Sequence, residues 1–258
     1  MNEAGDDVSN SSEELLKTRF GGATVAENIK RASACGRIIA HADGTVELAE
    51  RSGAVNWLTI DVPNAPPLSC QFLMHFLFHN AYARSAVPYG CRECYKVKVA
   101  PRTLRELVAA WQIAKRIECR SKWGVDSYSG DIYAGYFYAS GLAPARAIYE
   151  VVRKAFDAEA KLGPELPMSI MHRCVQYEAV AACDQSDFSP EMAKLEAYLK
   201  CRFRWRRRCV QVPAVLAYWI DAAVRTGDDT YLDFTGGRRL RPKTLADHPQ
   251  PAGGANPN

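Results

Sequence analysis

The chain has 258 residues, 48% of them apolar, nine cysteines and a formal net charge of +4. That length and apolar content supply a core without covalent staples, and so small a charge excludes a polyanion-binding surface spread over the whole molecule. The densest apolar run, "VPAVLAYWI" from Val212 to Ile220, stops at Asp221, short of the ~20 residues of a membrane-spanning helix.

Residues 1–14, "MNEAGDDVSNSSEE", are acidic and polar. They lack the basic start and apolar stretch of a secretory signal and have little to bury, so a disordered tail is expected. The expected compartment is the cytoplasm. Thiols stay reduced there, so the cysteines point to metal ligands, redox chemistry or buried packing before structural disulfides. Residues 242–258, rich in Pro and Gly, form a second expected tail, and 15–241 are expected to make a single α/β domain.

"GRIIAHADGTVELAE" reads as a hairpin. Ile38 and Ile39 lie on one arm, Val46 and Leu48 alternate on the other, and Asp43-Gly44 suits a tight turn. "NWLTIDV" predicts a further strand. "SCQFLMHFLFHNAYARSA" is apolar on all sides, the pattern of a buried helix, and Pro88 and Gly90 mark its end. After Cys91 and Cys94, Val97 and Val99 alternate with Lys96 and Lys98, the period of a strand with one wet face. Pro101 and Thr103 open a helix to about Glu118. A strand "DIYAGYFYAS", a helix from Leu142 to about Lys161 and a strand "ELPMSIMHR" follow. This βαβαβ order over residues 91–175 predicts a parallel sheet with right-handed crossovers, behind the N-terminal hairpin. Pro190 to Phe203 and Pro213 to Arg225 read as C-terminal helices, and "TYLDFTGG" as a short edge strand.

The Cys91-x2-Cys94 pair is half of a metal site, because this spacing lets both sulfurs reach one centre. About two more ligands are needed. His75 and His79, four apart, would complete a Cys2His2 zinc site, although their apolar neighbours equally suit core histidines. Phe76 stands where a zinc protease has its glutamate, which removes that class. Cys119, at the end of the first helix, is expected at the same sheet edge as the pair. Cys174 follows the third strand: a parallel strand carries it to the opposite edge and brings Cys183 near, whereas an antiparallel strand brings Cys174 within reach and takes Cys183 away. The ligand set Cys91, Cys94, Cys119 and Cys174, with Cys183, His75 and His79 as alternatives, leaves an iron–sulfur cluster and zinc both open as cofactor. A thioredoxin-like dithiol fits poorly, since a strand rather than a helix follows the pair. Two buried cysteines beside a turn are the plain alternative.

Three other clusters carry chemistry. "KCRFRWRRRC" interleaves Arg202, Arg204, Arg206, Arg207 and Arg208 with Trp205, a pattern for phosphates and stacked bases, or else the solvated end of a helix. Tyr133, Tyr136 and Tyr138 are candidates to line a ligand pocket, or are half-buried strand residues. His172, Cys174 and Glu178 gather at a strand end as catalytic candidates. The leading expectation is a metal-binding protein with a thiolate site, serving redox or electron transfer. A nucleic-acid or phosphate-binding module and a non-enzymatic interaction protein docking an acidic partner are the alternatives. Whether the protein is an enzyme stays open at this level.

Overall fold

The computed structural model describes residues 14–49, 56–62, 70–126, 130–159, 162, 166–174, 177, 189–205 and 211–241. The expected tails lie almost wholly outside them. Arg19–Phe20 (β1) and Ala23–Thr24 (β2) form a small ladder that leads into helix α1, Val25–Ala34. A capping box opens α1: Thr24 Oγ1 accepts from the Glu27 amide while the Glu27 carboxylate accepts from the Thr24 amide. The expected hairpin follows as β3, Ile38–Ala40, paired with β4, Val46–Leu48. Its turn is closed by Asp43 Oδ1 accepting from the Thr45 amide, with Gly44 at φ +77°.

The central sheet comprises β5 (Trp57–Ile60), β6 (Cys94–Val99), β7 (Ser121–Val125), β8 (Tyr133–Ser140) and β9 (Met168–His172). Helix α2, Leu104–Ala114, follows β6, and helix α3, Leu142–Asp157, follows β8. The strand order is β5-β7-β8-β6-β9, and every neighbouring pair is antiparallel. The α/β class, the N-terminal hairpin and the C-terminal helices expected from the sequence are present. The parallel sheet is not. β7, "SKWGV", is a strand that the βαβαβ reading passed over, and it changes the connectivity to β-α-β-β-α-β. Each helical crossover then joins two parallel strands with a third strand inserted between them, the split arrangement used by many unrelated proteins.

One face of the sheet packs against α2, α3 and α5 (Val212–Thr226), burying Val97, Val99, Trp123, Tyr133, Phe137, Phe156 and Trp219 in a first core. Asp228 pins this layer. Its carboxylate accepts from the Leu104 amide at the start of α2 (2.6 Å), the Tyr133 hydroxyl (2.9 Å) and Thr230. The same residue caps a 3-10 helix, Asp229–Phe234, which buries Tyr231. "TYLDFTGG" is therefore helical rather than an edge strand, because Asp228 offers the backbone a local cap.

A second core joins α1, the hairpin, helix α4 (Pro190–Arg202) and the helix Gln71–Ala81. The last is buried on nearly all sides, as its apolar sequence requires. It is wound as a π-helix, and the amide of Tyr82 still bonds five residues back, to the Leu77 carbonyl (2.7 Å). The opposite face of the sheet, bearing Lys96, Tyr136 and Tyr138, adjoins this second core. Lys96 is only 5% exposed, so that face is not wet as the alternation suggested: period two says which residues share a face, not whether the face is covered.

Candidate functional site: a thiol-lined cavity

Four cysteines from three separate stretches of chain converge on one cavity of about 270 Å³: Cys70, Cys91, Cys94 and Cys174. Cys91 closes a 3-10 turn, Tyr89–Cys91, and Cys94 is the first residue of β6. The turn is clamped from α4 by the buried carboxylate of Glu196, which accepts from the amides of Tyr89 (2.5 Å) and Gly90 (2.9 Å) and from the Tyr82 hydroxyl (3.0 Å). Gly90 suits this close approach. A side chain would meet Leu73 of the π-helix at 2.8 Å. Cys174 arrives because β9 is antiparallel to β6, with Tyr95 opposite His172 and the Arg173 amide on the Cys94 carbonyl (2.8 Å). Arg173 then turns the chain at φ +65°. Cys70 precedes the π-helix and faces the same cavity with Leu73 and Met74.

Cys119 is not part of this group. The sequence places it at the correct edge of the sheet, where the neighbouring Arg120 carbonyl accepts from the Tyr138 amide (3.0 Å). Its side chain, however, packs against the first core, and β8 lies between its strand and that of Cys94. Nor do the histidines join. His75 is exposed, and His79 stacks on it (6.2 Å between centroids) while accepting from Arg84 Nε. Cys183 lies outside the described residues. Among the described residues, no group of three or more His, Cys, Asp and Glu side chains is arranged to hold a metal ion.

One lysine contacts a sulfur and a second lies nearby on the same sheet face. Lys96 Nζ donates to Cys174 Sγ (2.7 Å) and lies 5.7 and 5.9 Å from the ring centroids of Tyr136 and Tyr138. Burial pushes this ammonium toward its neutral form, but Cys174, then Cys70 and Cys94, more than offset that and leave its pKa above the ordinary value. Lys122, one strand beyond Tyr136, lies over Trp57 (4.3 Å) and Tyr136 (5.1 Å), and burial holds its pKa down. Burial raises the thiols: Cys70 and Cys91 stand above the ordinary value and Cys94 is pushed up to about 12, with the neighbouring sulfurs adding to each. Cys91 Sγ also meets the Tyr177 hydroxyl at 3.0 Å. In metal-free protein at pH 7.5, iodoacetamide is therefore expected to modify the exposed Cys35 and Cys201 first and to spare Cys91 and Cys94 until unfolding. Peptide mapping checks this; early labelling of Cys91 would contradict the enclosed geometry.

The remaining candidates separate. Tyr138 lines the cavity and Tyr136 lies on the same sheet face, with its hydroxyl on Asp126. Tyr133 points to the opposite face, buried in the first core with its hydroxyl on Asp228. Alternation along β8 enforces this split. His172 stacks on Tyr95 (4.5 Å) and its Nε2 meets the Arg92 carbonyl (2.8 Å), so the polar neighbour of Cys174 is Lys96 rather than His172. Glu178 lies outside the described residues.

The described part of the basic segment, residues 200–205, is drawn into the fold. Phe203 is buried against Phe72 and Phe76, and Trp205 packs on Phe203 (5.1 Å) and Phe72 (6.2 Å). Arg204 pairs with Asp43 (2.7 Å) as its amide bonds the Val46 carbonyl. Arg202 lies 3.8 Å from the Tyr198 ring centroid. The described part of the segment thus fastens the hairpin to the second core. Arg206, Arg207 and Arg208 lie outside the described residues.

Sequence reasoning missed Cys70, Lys96, Arg120 and Glu196 as site residues. A lone cysteine after "NAPPL" has no spacing partner to announce it, and a single glutamate on a helix shows nothing of the turn it clamps. No helix among the described residues is long and apolar enough to cross a membrane. The chain matches no protein-family model, no curated protein and no solved structure.

Proposed function

We propose that the thiol-lined cavity is a metal centre in which Cys70, Cys91, Cys94 and Cys174 are the ligands, and that the centre is an iron–sulfur cluster serving electron transfer in the reducing cytoplasm. The observation that carries this reading is the convergence of four cysteines, from three distant stretches of chain, on one cavity. Buried packing alone gives no reason for such a grouping. A single zinc ion needs its four sulfurs at ~2.3 Å, so they would have to draw together into one tetrahedron. A cluster places its own iron and sulfide between the thiolates and so suits ligands spread around a cavity. Lys96 and Lys122 support the reading because four metal-bound thiolates bring negative charge into a low-dielectric site, where Lys96 contacts Cys174 and Lys122 is near enough to feel Cys70 and Cys174. In the metal-free chain burial favours the protonated form of Cys70, Cys91 and Cys94, and the described side chains are not arranged for an ion, so metal binding would be coupled to closure of the site and to release of protons.

The docking of Phe203, Arg204 and Trp205 favours a structural role for the described basic residues over base stacking, and no comparable observation supports the interaction-protein reading. The test is the metal content and visible spectrum of protein purified without oxygen. Iron and sulfide with broad visible absorption are expected; stoichiometric zinc would retain the site but replace the cluster. Metal-free protein that keeps its fold would remove both.

A further inference from the structure

We propose that the same cavity carries an oxyanion subsite built on Arg120, which admits a small carboxylate- or phosphate-bearing ligand. This inference rests on the arginine and is independent of the metal reading. Arg120 stands at the entry to β7, and its carbonyl is fixed by the Tyr138 amide at 3.0 Å. Its side chain is only 15% exposed and lines the cavity beside Tyr138, Ser140 and Cys94. A guanidinium has five N–H donors in a planar fork. The nearest carboxylate oxygen, Asp61 Oδ1, is 3.6 Å from Nε, beyond hydrogen-bonding range, and Asp61 is itself 67% exposed. Nε is buried and has no hydrogen-bond partner among the described residues.

An arginine largely withdrawn from water, with its Nε unsatisfied and only an exposed carboxylate at 3.6 Å to balance its charge, is costly. That cost is offset when an oxyanion takes the fork, in the two-point geometry that carboxylates and phosphates share. The surroundings of the cavity agree in sign: behind its lining, Lys96 donates to Cys174 Sγ and Lys122 lies over the rings of Trp57 and Tyr136. Among the described residues the one carboxylate lining the cavity, Glu93, is 56% exposed and lies 3.5 Å from Arg92. A volume of about 270 Å³ limits the ligand to a small molecule.

The experiment is calorimetric titration of the full chain with inorganic phosphate and, separately, acetate, at constant ionic strength set with chloride. Saturable binding of at least one anion is expected, weakened at least tenfold by Arg120→Met and unchanged by Arg92→Met at the rim. Asp61→Asn, an exposed change that leaves the core intact, is expected to tighten binding about threefold by removing the competing carboxylate. Cys174→Ser is expected to lose metal yet keep the anion affinity within twofold, which separates failure of this site from failure of the metal centre. Equal binding by Arg120→Met and wild type, no saturable binding of either anion, or no gain in Asp61→Asn would each overturn the proposal.

Discussion

Glu196→Ala is expected to lower the unfolding free energy by about 2–4 kcal/mol and to free the turn that carries Cys91. The substitution leaves the Tyr89 and Gly90 amides and the Tyr82 hydroxyl without their acceptor, and each unsatisfied buried donor costs about 1–3 kcal/mol. Part of that loss is returned because the buried carboxylate is no longer desolvated. Its burial also sets a pH dependence. Desolvation outweighs the three donors and raises the Glu196 pKa above 4.5, so the folded state holds this proton more tightly than the unfolded chain. The corresponding stability is present below 4.5 and is lost as the pH rises through the folded value. Glu196→Gln should flatten that slope while keeping part of the clamp. Urea unfolding between pH 4 and 8, taken with metal content, checks both effects. A stability unchanged in Glu196→Ala would show that the turn holds itself.

The second large effect lies in the first core. Trp123 is fully buried, forms edge-to-face contacts with Phe137 and Phe156, and donates from Nε1 to Ser121 Oγ (3.0 Å). Trp123→Ala is expected to cost about 3–5 kcal/mol through lost transfer energy and the cavity left behind. Its indole lies across Gly135, its cross-strand partner, and a Cβ there would stand less than 3.0 Å from Trp123 Cζ3. Gly135→Ala is therefore expected to destabilise by about 1–3 kcal/mol through overpacking. Pairing Gly135→Ala with Trp123→Leu should cost less than the sum of the single changes, because the smaller side chain yields the space. Strict additivity in denaturant unfolding would contradict the contact.

Trp123 also shows where the sequence is legible and where it is not. Its strand, "SKWGV", is five residues long and interrupted by Gly124, so it gives a weak periodic signal beside the long run of β8. Passing over it makes two antiparallel neighbours look like a parallel crossover. The error reaches the site, because strand direction decides which cysteine returns to the Cys91/Cys94 edge. The antiparallel branch, stated from the sequence as the condition for Cys174, is the one observed. The hairpin, the buried helix before the knuckle and the N-cap of α2 at Thr103 are read correctly, since each has a local cause in turn residues, apolar composition or a capping side chain. Cys70 and Lys96 have no local cause. They matter only through tertiary neighbours, and an alternating strand looks the same whether its polar face meets water or a second core.

The ligand set is the claim on which the account depends, and one comparison tests it most directly: metal bound per chain in Cys70→Ser against Cys119→Ser, both purified without oxygen and both confirmed folded by circular dichroism. The cavity geometry requires Cys70→Ser to lose most of its metal and visible absorption while Cys119→Ser retains the wild-type amount. Retention of metal by Cys70→Ser with its loss in Cys119→Ser would contradict the account and return the site to the ligand set expected from the sequence.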